Sequence, residues 1–209
     1  LVKLLLNHPN VEIVYLGSEQ HVGKLYSEIY PTFFGILNKK CEPTNPKTIA
    51  NQCDVVFCAT PHGFTKDFIP KLLHENSDLK IIDLSADLRL EEKLSLKKHR
   101  FNISYGLPEL YRKEIKKAQI IANPGCYPTS AILGLLPAIK NNLIHLDSII
   151  IDSKSGTSGA GKQPKQDLLF CELNESFSAY SLAGKHRHIP EMENEISKAA
   201  KKKNIKLTF

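Results

Sequence analysis

Cys126 lies at a position where its thiol could act as a nucleophile. It follows an apolar run at residues 120–122 and a turn at 123–125, and Pro128 just behind it suits the first turn of a helix. The N-terminus of a helix stabilises a thiolate, and its free N–H groups can hold the oxyanion that forms when the thiolate attacks an acyl carbon. The pattern therefore predicts a cysteine that forms a thioester with an acyl substrate. The alternative is a buried cysteine that fills space between a strand and a helix.

A second group of reactive side chains lies in residues 184–193, where Pro190 and Glu191 predict the first turn of a helix. His186 and His188 come just before that turn. A thiolate nucleophile needs a group that takes its proton and later returns one, and histidine suits that task near neutral pH. We expect His188 in this role because it is nearer the helix start, with His186 as the alternative. The alternative without a catalytic role is a solvated polar loop. A metal site is disfavoured because the sequence offers no obvious third ligand.

Two further segments could bind anionic groups. Residues 153–162 combine three glycines with Ser, Thr and Lys, so their backbone could approach a ligand closely. They do not form a P-loop, because Gln rather than Ser or Thr follows the lysine, and a flexible surface turn is an equal alternative. Arg89 lies just past a predicted strand, where it could bind phosphate or carboxylate in a bidentate contact. It could equally pair with Asp83 or Asp87 to hold its own loop.

The elements that must position these groups alternate between strands and helices. Apolar runs predict strands at residues 11–16, 54–59, 80–84, 120–122 and 148–153, and helical spacing predicts helices at 1–8, 64–75 and 128–141. Residues 19–52 read as irregular. Such alternation indicates an α/β fold with a mainly parallel sheet, which binds ligands at the carboxyl ends of its strands. We therefore expect the polar tails at one edge of the sheet, namely residues 17–18, 60–63, 85–87 and 123–126.

Composition excludes several classes of function. The formal net charge is +6 over 209 residues, but the lysines are scattered, which argues against a nucleic-acid surface. No apolar run reaches 18 residues, so we expect no membrane span. Five cysteines without a secretory leader indicate free thiols and a cytoplasmic protein. The chain begins without Met inside a helical pattern and stops inside a strand pattern, so we expect a fragment of a longer protein.

Taken in order, the motifs resemble those of the N-acetyl-gamma-glutamyl-phosphate reductases, a family related to the aspartate-semialdehyde dehydrogenases. The matching segments, from the N-terminal side, are residues 59–63 (ATPHG), 83–89 (DLSADLR), 105–109 (YGLPE), 123–129 (NPGCYPT), 155–161 (SGTSGAG) and 186–191 (HRHIPE). The resemblance implies a Rossmann-like parallel-sheet domain over residues 1–125, without its first strand and glycine-rich loop. It also implies an α/β (α+β) catalytic and dimerisation domain over 126–209, cut short at its end.

The resemblance also implies a reaction and a set of site residues. An NADPH-dependent enzyme of this family reduces N-acetylglutamyl 5-phosphate to the 5-semialdehyde in arginine biosynthesis and releases phosphate. Cys126 would carry the thioester, and His188 or His186 would move the proton. The implied substrate ligands are Arg89, Asn123, Arg187 and Glu191. The implied NADP(H) ligands are Ser18, Thr60, Pro61, Ser85, Ser158 and Gly159. The implied partners are this small substrate and further copies of the chain, as a dimer or tetramer, with no metal ion.

Three rival functions fit parts of the same pattern. A sister reductase acting on an aminoadipate-type acyl phosphate would share the chemistry and differ only in its pocket. A thiol hydrolase or acyltransferase could use Cys126 and His188 without any nicotinamide. A plain nucleotide-binding module would not need Cys126 at all. Dependence on the nicotinamide and on the thiol separates these alternatives.

Overall fold

The computed structural model describes residues 1–90 and 101–209 of the chain. They form two compact units, Leu1–Asn123 and Pro124–Phe209.

The first unit is built on a four-stranded parallel sheet. Its strands are β1 (Val55–Cys58), β2 (Lys80–Asp83), β3 (Ile103–Tyr105) and β4 (Ile120–Ala122), in the order β1-β2-β4-β3. The register pairs Cys58 with Asp83 and Asp83 with Ala122, so the three strands end level with one another. Because all four run in one direction, the tails after β1, β2 and β4 share one edge, as the sequence predicted. The predicted mainly parallel α/β fold is confirmed.

Helices α1 to α5 of this unit have the bounds Val2–Leu6, Tyr26–Ile29, Pro46–Gln52, Thr65–Glu75 and Pro108–Lys117. A short 3-10 helix spans Pro31–Phe33. α4 follows β1 and returns the chain to β2, which is the crossover that parallel strands require. It buries Phe68, Ile69, Leu72 and Leu73, spaced along one helical face, in the apolar core of the unit. This packing fixes the start of α4 against the carboxyl edge of the sheet.

Four stretches of the first unit differ from the prediction, and one of them is α5 (Pro108–Lys117), a helix that was not predicted. Residues 11–16 are not a strand: the Leu16 carbonyl accepts from Glu42 N–H and the Ser18 amide donates to Glu42, but no sheet strand lies alongside within the described residues. The apolar pattern was present, yet a strand also needs a partner for its ladder. Residues 19–52 are not wholly irregular, since they contain α2 and α3. β3 was not predicted, because its three residues are too short for a pattern and carry Ser104 in the middle.

The second unit is mainly helical. Its helices are α6 (Cys126–Lys140), α7 (Phe170–Leu173) and α8 (Ile189–Ala200), with short 3-10 helices at Thr157–Ala160 and Gln166–Leu168. A small parallel pair joins β5 (Ile149–Ile150) to β6 (Leu207–Thr208). α6 packs against α8, and both bury apolar faces. α6 begins two residues earlier than predicted, and the strand expected at 148–153 is only two residues long.

No helix in residues 1–90 and 101–209 combines the length and the apolar character that crossing a membrane requires.

Candidate active site

Cys126 is the first residue of α6, and its side chain is exposed. Gly125 is the N-cap, with φ −66° and ψ 158°, and its carbonyl accepts from the Thr129 amide at 2.9 Å and from the Thr129 hydroxyl at 2.8 Å. The turn into the helix is therefore closed by its own hydrogen bonds. An accessible thiol thus lies beside the first amides of a 15-residue helix, where anions are favoured. The local arrangement predicted from Gly125, Cys126 and Pro128 is the one observed.

Glu191 connects the start of α8 to the turn before Cys126. Its side chain is only 3% exposed, and Oε1 accepts a hydrogen bond from the Gly125 amide at 2.9 Å. A charge-assisted bond of this length is among the stronger contacts that a backbone N–H makes. The sequence suggested Glu191 as a substrate ligand. In the structure at least one of its oxygens holds the turn that presents the thiol.

The two histidines lie together, and aromatic side chains pack against their rings. His186 and His188, the latter 4% exposed, have ring centroids 4.8 Å apart. The Tyr127 ring contacts both, with centroids at 5.4 and 6.0 Å. His186 Nδ1 accepts from the His188 amide at 3.1 Å, and its Nε2 lies 3.2 Å from the Tyr180 hydroxyl. Because Nδ1 is an acceptor, a neutral His186 carries its proton on Nε2.

The electrostatics of this cluster favour a neutral His186. Burial lowers the pKa of its imidazole, and the nearby Arg187 guanidinium lowers it further. Partial burial, a hydrogen bond with Tyr127 and electrostatic interactions with Tyr127 and Cys126 raise the pKa of Tyr180 to about 12, against the opposing effect of Arg187. The Tyr180 phenol therefore keeps its proton near neutral pH and remains a hydrogen-bonding partner of the imidazole.

Sequence reasoning missed the aromatic side chains of this cluster. Its position directly after the cysteine could have suggested that Tyr127 belongs to this cluster. Tyr180 lies six residues before His186 in a stretch without a recognisable pattern. Phe209, whose ring lies 5.1 Å from that of Tyr127 and 5.0 Å from that of His186, is distant from both in sequence. Only tertiary structure reveals the last two contacts.

The other candidates of the second unit lie on its surface. Ser158 and Gly159 are exposed on the short 3-10 helix Thr157–Ala160, where the Gly159 amide donates to the Gly156 carbonyl at 3.0 Å. Arg187 is also exposed, although the residues on either side of it are buried. The guanidinium is therefore accessible to an anionic ligand at the position between the two histidines.

In the first unit, Thr60, Ser85 and Arg89 come after β1 and β2, on the carboxyl side of the sheet. Within the described residues, the buried hydroxyl oxygen of Thr60 has no hydrogen-bond partner. Ser85 is buried, and its hydroxyl contacts the Asp83 carboxyl. Arg89 is also buried and donates to the Leu84 carbonyl at 3.0 Å, so it at least helps to hold its own loop.

Three further candidates of this unit differ in exposure. Pro61 is exposed, whereas Ser18 and Asn123 are partly buried. The Ser18 hydroxyl accepts from the His21 amide at 3.3 Å, and the Asn123 amide donates to the Asp83 carbonyl at 2.8 Å. Among residues 1–90 and 101–209, no cluster of three or more His, Cys, Asp or Glu side chains could hold a metal ion.

Comparison with known protein families covers nearly the whole chain. Residues 1–118 match a family described as "Semialdehyde dehydrogenase, NAD binding domain", and residues 126–209 match "Semialdehyde dehydrogenase, dimerisation domain". Among curated proteins, N-acetyl-gamma-glutamyl-phosphate reductase of Campylobacter jejuni (strain 81-176) is 49% identical over all of this chain and 62% of its own length. The Desulfotalea psychrophila protein of the same name is 44% identical over 96% of this chain and 60% of its own length.

The chain therefore spans about 60% of the length of the curated relatives it matches. Among solved structures, aspartate semialdehyde dehydrogenase with NADP from Candida albicans superposes with a TM-score of 0.63. It is 16% identical, and the match covers 94% of this chain and 55% of that one. At that identity the likeness concerns the fold, and it agrees with a Rossmann-like first unit.

Proposed function

Because the chain belongs to the semialdehyde dehydrogenase family, we propose that it is part of an NADPH-dependent reductase of N-acetyl-L-glutamyl 5-phosphate. The products are N-acetyl-L-glutamate 5-semialdehyde and phosphate, a step of arginine biosynthesis. The names of the similar reductases support this substrate. The single observation that carries the proposal is the exposed thiol of Cys126 at the first residue of α6, in the same unit as two buried histidines.

Cys126 is proposed as the nucleophile. Its thiolate attacks the acyl carbon, the S–C bond forms, and the bond from that carbon to the phosphate oxygen breaks, so phosphate leaves. The result is a thioester on Cys126. The first amides of α6 are suited to the oxyanion that appears on the carbonyl oxygen during this attack.

His188 is proposed as the acid/base. It would take the proton of the Cys126 thiol and give one to the substrate oxygen as the thioester carbon gains a hydride. It would then take that proton back as the C–S bond breaks, so that the semialdehyde leaves and the Cys126 thiolate is restored. The alternative, His186, already uses Nδ1 to accept from the His188 amide and has Nε2 beside the Tyr180 hydroxyl. A base needs a lone pair on the nitrogen that faces the thiol, and this engagement leaves His186 better suited to orient the pair.

The cofactor would be NADP(H), which supplies a hydride when bound. The residues present fit a dinucleotide at the carboxyl edge of the first unit, because the buried Thr60 hydroxyl after β1 is without a partner among the described residues. A hydroxyl or phosphate oxygen of the ligand would satisfy it. Ser18, Thr60, Pro61 and Ser85 are proposed to hold the cofactor in the first unit, and Ser158 and Gly159 in the second. Of these, Ser85 would act through its backbone, since its hydroxyl is engaged within the unit.

Arg89, Asn123, Arg187 and Glu191 are proposed to serve the substrate. The exposed Arg187 suits a direct contact with a carboxylate or phosphate, whereas Glu191 would act mainly by holding the Gly125 amide. We also propose that the complete protein is a cytoplasmic homo-oligomer. The description of the second family match as a dimerisation domain supports the assembly.

The test is the reverse reaction of the full-length protein. It should reduce NADP⁺ only when the semialdehyde is given together with phosphate or arsenate. Cys126→Ser should abolish this turnover while NADPH still binds. Cys171→Ser is the matched control, because Cys171 is a second exposed thiol of the same unit and should be dispensable. Turnover that continues without nicotinamide would favour a hydrolase or acyltransferase, and activity retained in Cys126→Ser would refute the proposed nucleophile.

The assignment of the base has its own comparison. His188→Asn should lower the rate by about 10²–10⁴-fold, the usual contribution of general acid–base catalysis, and His186→Asn should lower it less. The opposite order would exchange the two roles. Discrimination against an aminoadipate-type substrate is measured as a ratio of kcat/KM values, and a preference for the longer acyl phosphate would favour the sister reductase.

A further inference from the structure

Four oxygen-bearing side chains form a buried cluster beneath the carboxyl edge of the first unit. They are Asp83 at the end of β2, Ser85 and Asp87 in the loop that follows, and Thr65, the first residue of α4. Asp83 and Thr65 are 0% exposed. None of the four is assigned a role by the proposed reaction, apart from the suggested backbone contact of Ser85. Two buried carboxyl groups in one cluster raise the question of how their charges are accommodated.

The contacts with backbone N–H groups show which of the two carboxyl groups is better stabilised when it is ionised. Both oxygens of Asp87 lie 2.8 Å from the Gly63 amide, at the N-terminus of the 11-residue helix α4, where the helix dipole favours a negative charge. Asp83 receives one backbone hydrogen bond through Oδ1, from the Ser85 amide at 2.9 Å. Asp87 is therefore suited to carry the charge, and Asp83 is the less compensated partner.

The side-chain contacts leave too few protons if both carboxyl groups are ionised. Thr65 Oγ1 lies 2.8 Å from Asp87 Oδ2, 3.0 Å from Ser85 Oγ and 3.2 Å from Asp83 Oδ2, and Ser85 Oγ lies 2.9 Å from Asp83 Oδ2. The two hydroxyl groups supply one proton each for these contacts. In two of these four contacts, the two oxygen atoms would then face each other with no proton between them. This would happen in a place from which water is excluded.

One additional proton on Asp83 Oδ2 resolves this conflict. The Asp83 hydroxyl then donates to Ser85 Oγ, the Ser85 hydroxyl donates to Thr65 Oγ1, and the Thr65 hydroxyl donates to the ionised Asp87. Three of the four contacts become directed hydrogen bonds, and only the longest, at 3.2 Å, lacks a proton. The Asp87 amide, which donates to Ser85 Oγ at 3.1 Å, completes the acceptor capacity of that hydroxyl.

We propose that Asp83 and Asp87 share one proton at neutral pH, that Asp83 carries it, and that it positions residues 84–89 against the start of α4. Asp83 is thus a positioning residue for the loop that ends in Arg89. The chain of three donors runs in one direction, from the end of β2 to the helix start. It connects the tails of two neighbouring strands, β1 and β2, at the edge where the cofactor is proposed to bind.

The other charged and titratable groups around the cluster agree with this assignment. Cys58, the β1 neighbour of Asp83, has a pKa raised to about 12, with burial as the largest cause, so it is a neutral thiol. Lys66 on α4 acts on Asp87, whose pKa is lowered by hydrogen bonds from Gly63 and Thr65 and by that lysine, despite the opposing effect of burial. On the far side, His62 Nδ1 accepts from the Ala86 amide at 2.9 Å. Burial above all, and Asp87, raise the pKa of Asp83.

The proton itself can be observed by infrared spectroscopy of the full-length protein. Aspartate labelled with carbon-13 at its side-chain carboxyl moves the carbonyl stretch of a protonated aspartic acid away from unlabelled groups. We expect such a band at neutral pH, and we expect it to disappear in Asp83→Asn but not in Asp78→Asn, a control at an exposed aspartate of the same unit. A wild-type spectrum without a protonated aspartate band would overturn the proposal. The readout is independent of enzymatic activity, so it stands or falls separately from the proposed reaction.

Asparagine substitution supplies a second, thermodynamic test. The Asp83→Asn amide can donate to Ser85 and Thr65 without carrying a charge, so this variant should fold with an unchanged or higher melting temperature at neutral pH. Asp87→Asn removes the anion that accepts from Gly63 and Thr65, and should lower the melting temperature by roughly 5–10 °C. If Asp83→Asn fails to fold, or loses as much stability as Asp87→Asn, the proposal is wrong.

The pH dependence of the two variants should have opposite signs. The pKa of Asp83 is raised on folding, so the wild type loses stability as pH rises from the unfolded value of about 3.9 through the folded one. The advantage of Asp83→Asn should therefore grow with pH and vanish in acid. The pKa of Asp87 is lowered, so its contribution is present above the unfolded value and is lost as pH falls. The deficit of Asp87→Asn should accordingly shrink in acid, and parallel trends in both variants would contradict the shared proton.

Discussion

The contact between Glu191 and the Gly125 amide leads to a sharply defined prediction for Glu191→Ala. The side chain is buried, and the bond to the amide is 2.9 Å long, so its removal leaves a buried N–H without this partner. A hydrogen bond to a charged group contributes about 1.5–3 kcal/mol. Since about 1.4 kcal/mol is a factor of ten, hydrogen exchange of the Gly125 amide should accelerate by about 10- to 100-fold.

The assay is amide exchange followed by NMR, which reads this one residue. Pro124 precedes it and has no N–H, so the Gly125 resonance has no exchanging neighbour on that side. Glu191→Gln keeps an acceptor oxygen and should show a smaller acceleration. Glu193→Ala is the control on the same helix, because Glu193 contacts Lys206 at 2.7 Å and the Leu207 amide at 3.3 Å instead.

Two results would refute this reasoning. One is an unchanged exchange rate of Gly125 in Glu191→Ala, which would mean that the carboxylate does not protect the amide in solution. The other is an equal acceleration in Glu193→Ala, which would indicate general loosening of α8. If the prediction holds, the rate at which iodoacetamide alkylates Cys126 should also differ from the wild-type rate in Glu191→Ala, but not in Glu193→Ala.

Three further predictions follow from the described contacts. Gly106→Ala should destabilise the first unit by about 1–3 kcal/mol in chemical denaturation, because the new Cβ would lie 2.8 Å from Ile121 Cγ2 and 3.1 Å from the Ala122 carbonyl oxygen. Gly134→Ala, inside α6 with nothing within 4 Å of its Cβ, should be neutral or stabilising. Native-state alkylation read by mass spectrometry should modify Cys126 and Cys171 and spare Cys58, which is buried and has a pKa raised to about 12; rapid labelling of Cys58 would contradict the fold. Arg187→Gln should raise the NMR titration midpoint of His186 yet leave it below that of an exposed histidine, because burial is the larger cause of its lowered pKa. A His186 pKa lowered on folding also means stability that is lost as pH falls below the unfolded value, and this loss should be smaller in Arg187→Gln.

The sequence predicted well wherever the cause of a structure is local. The strands at β1, β2 and β4 are short, mainly apolar runs in a parallel sheet, each with at least one buried residue, and their apolar pattern and length were enough to find them. The start of α6 could also be predicted. The glycine turn lies before Cys126, Pro128 lies within the first turn, and each acts on the backbone of its own segment.

Contacts between distant residues were beyond such reasoning. The Glu191–Gly125 hydrogen bond joins residues 66 positions apart, and the Thr65–Asp87 bond joins residues 22 apart. Neither carboxylate differs in sequence from an ordinary surface acid. The failed strand at residues 11–16 shows the converse, because its apolar pattern was genuine but, among residues 1–90 and 101–209, only an isolated bridge at its end, between Gly17 and Glu42, takes the place of a ladder. The local pattern shows which secondary structure a segment can form, and its neighbours in the folded chain determine which structure it adopts.

The link from Glu191 to Gly125 also constrains the order in which the second unit can fold. Closing a flexible loop of 66 residues costs about 4 kcal/mol in chain entropy, more than one charged hydrogen bond returns. The apolar packing of α6 against α8 must therefore bring the two ends together first, through buried residues such as Ile132 and Met192. During synthesis the Gly125 amide lacks its Glu191 partner until residue 191 has emerged and α8 has docked. The surroundings of the proposed nucleophile are thus completed late, when α8, which begins directly after the two histidines, is already in place.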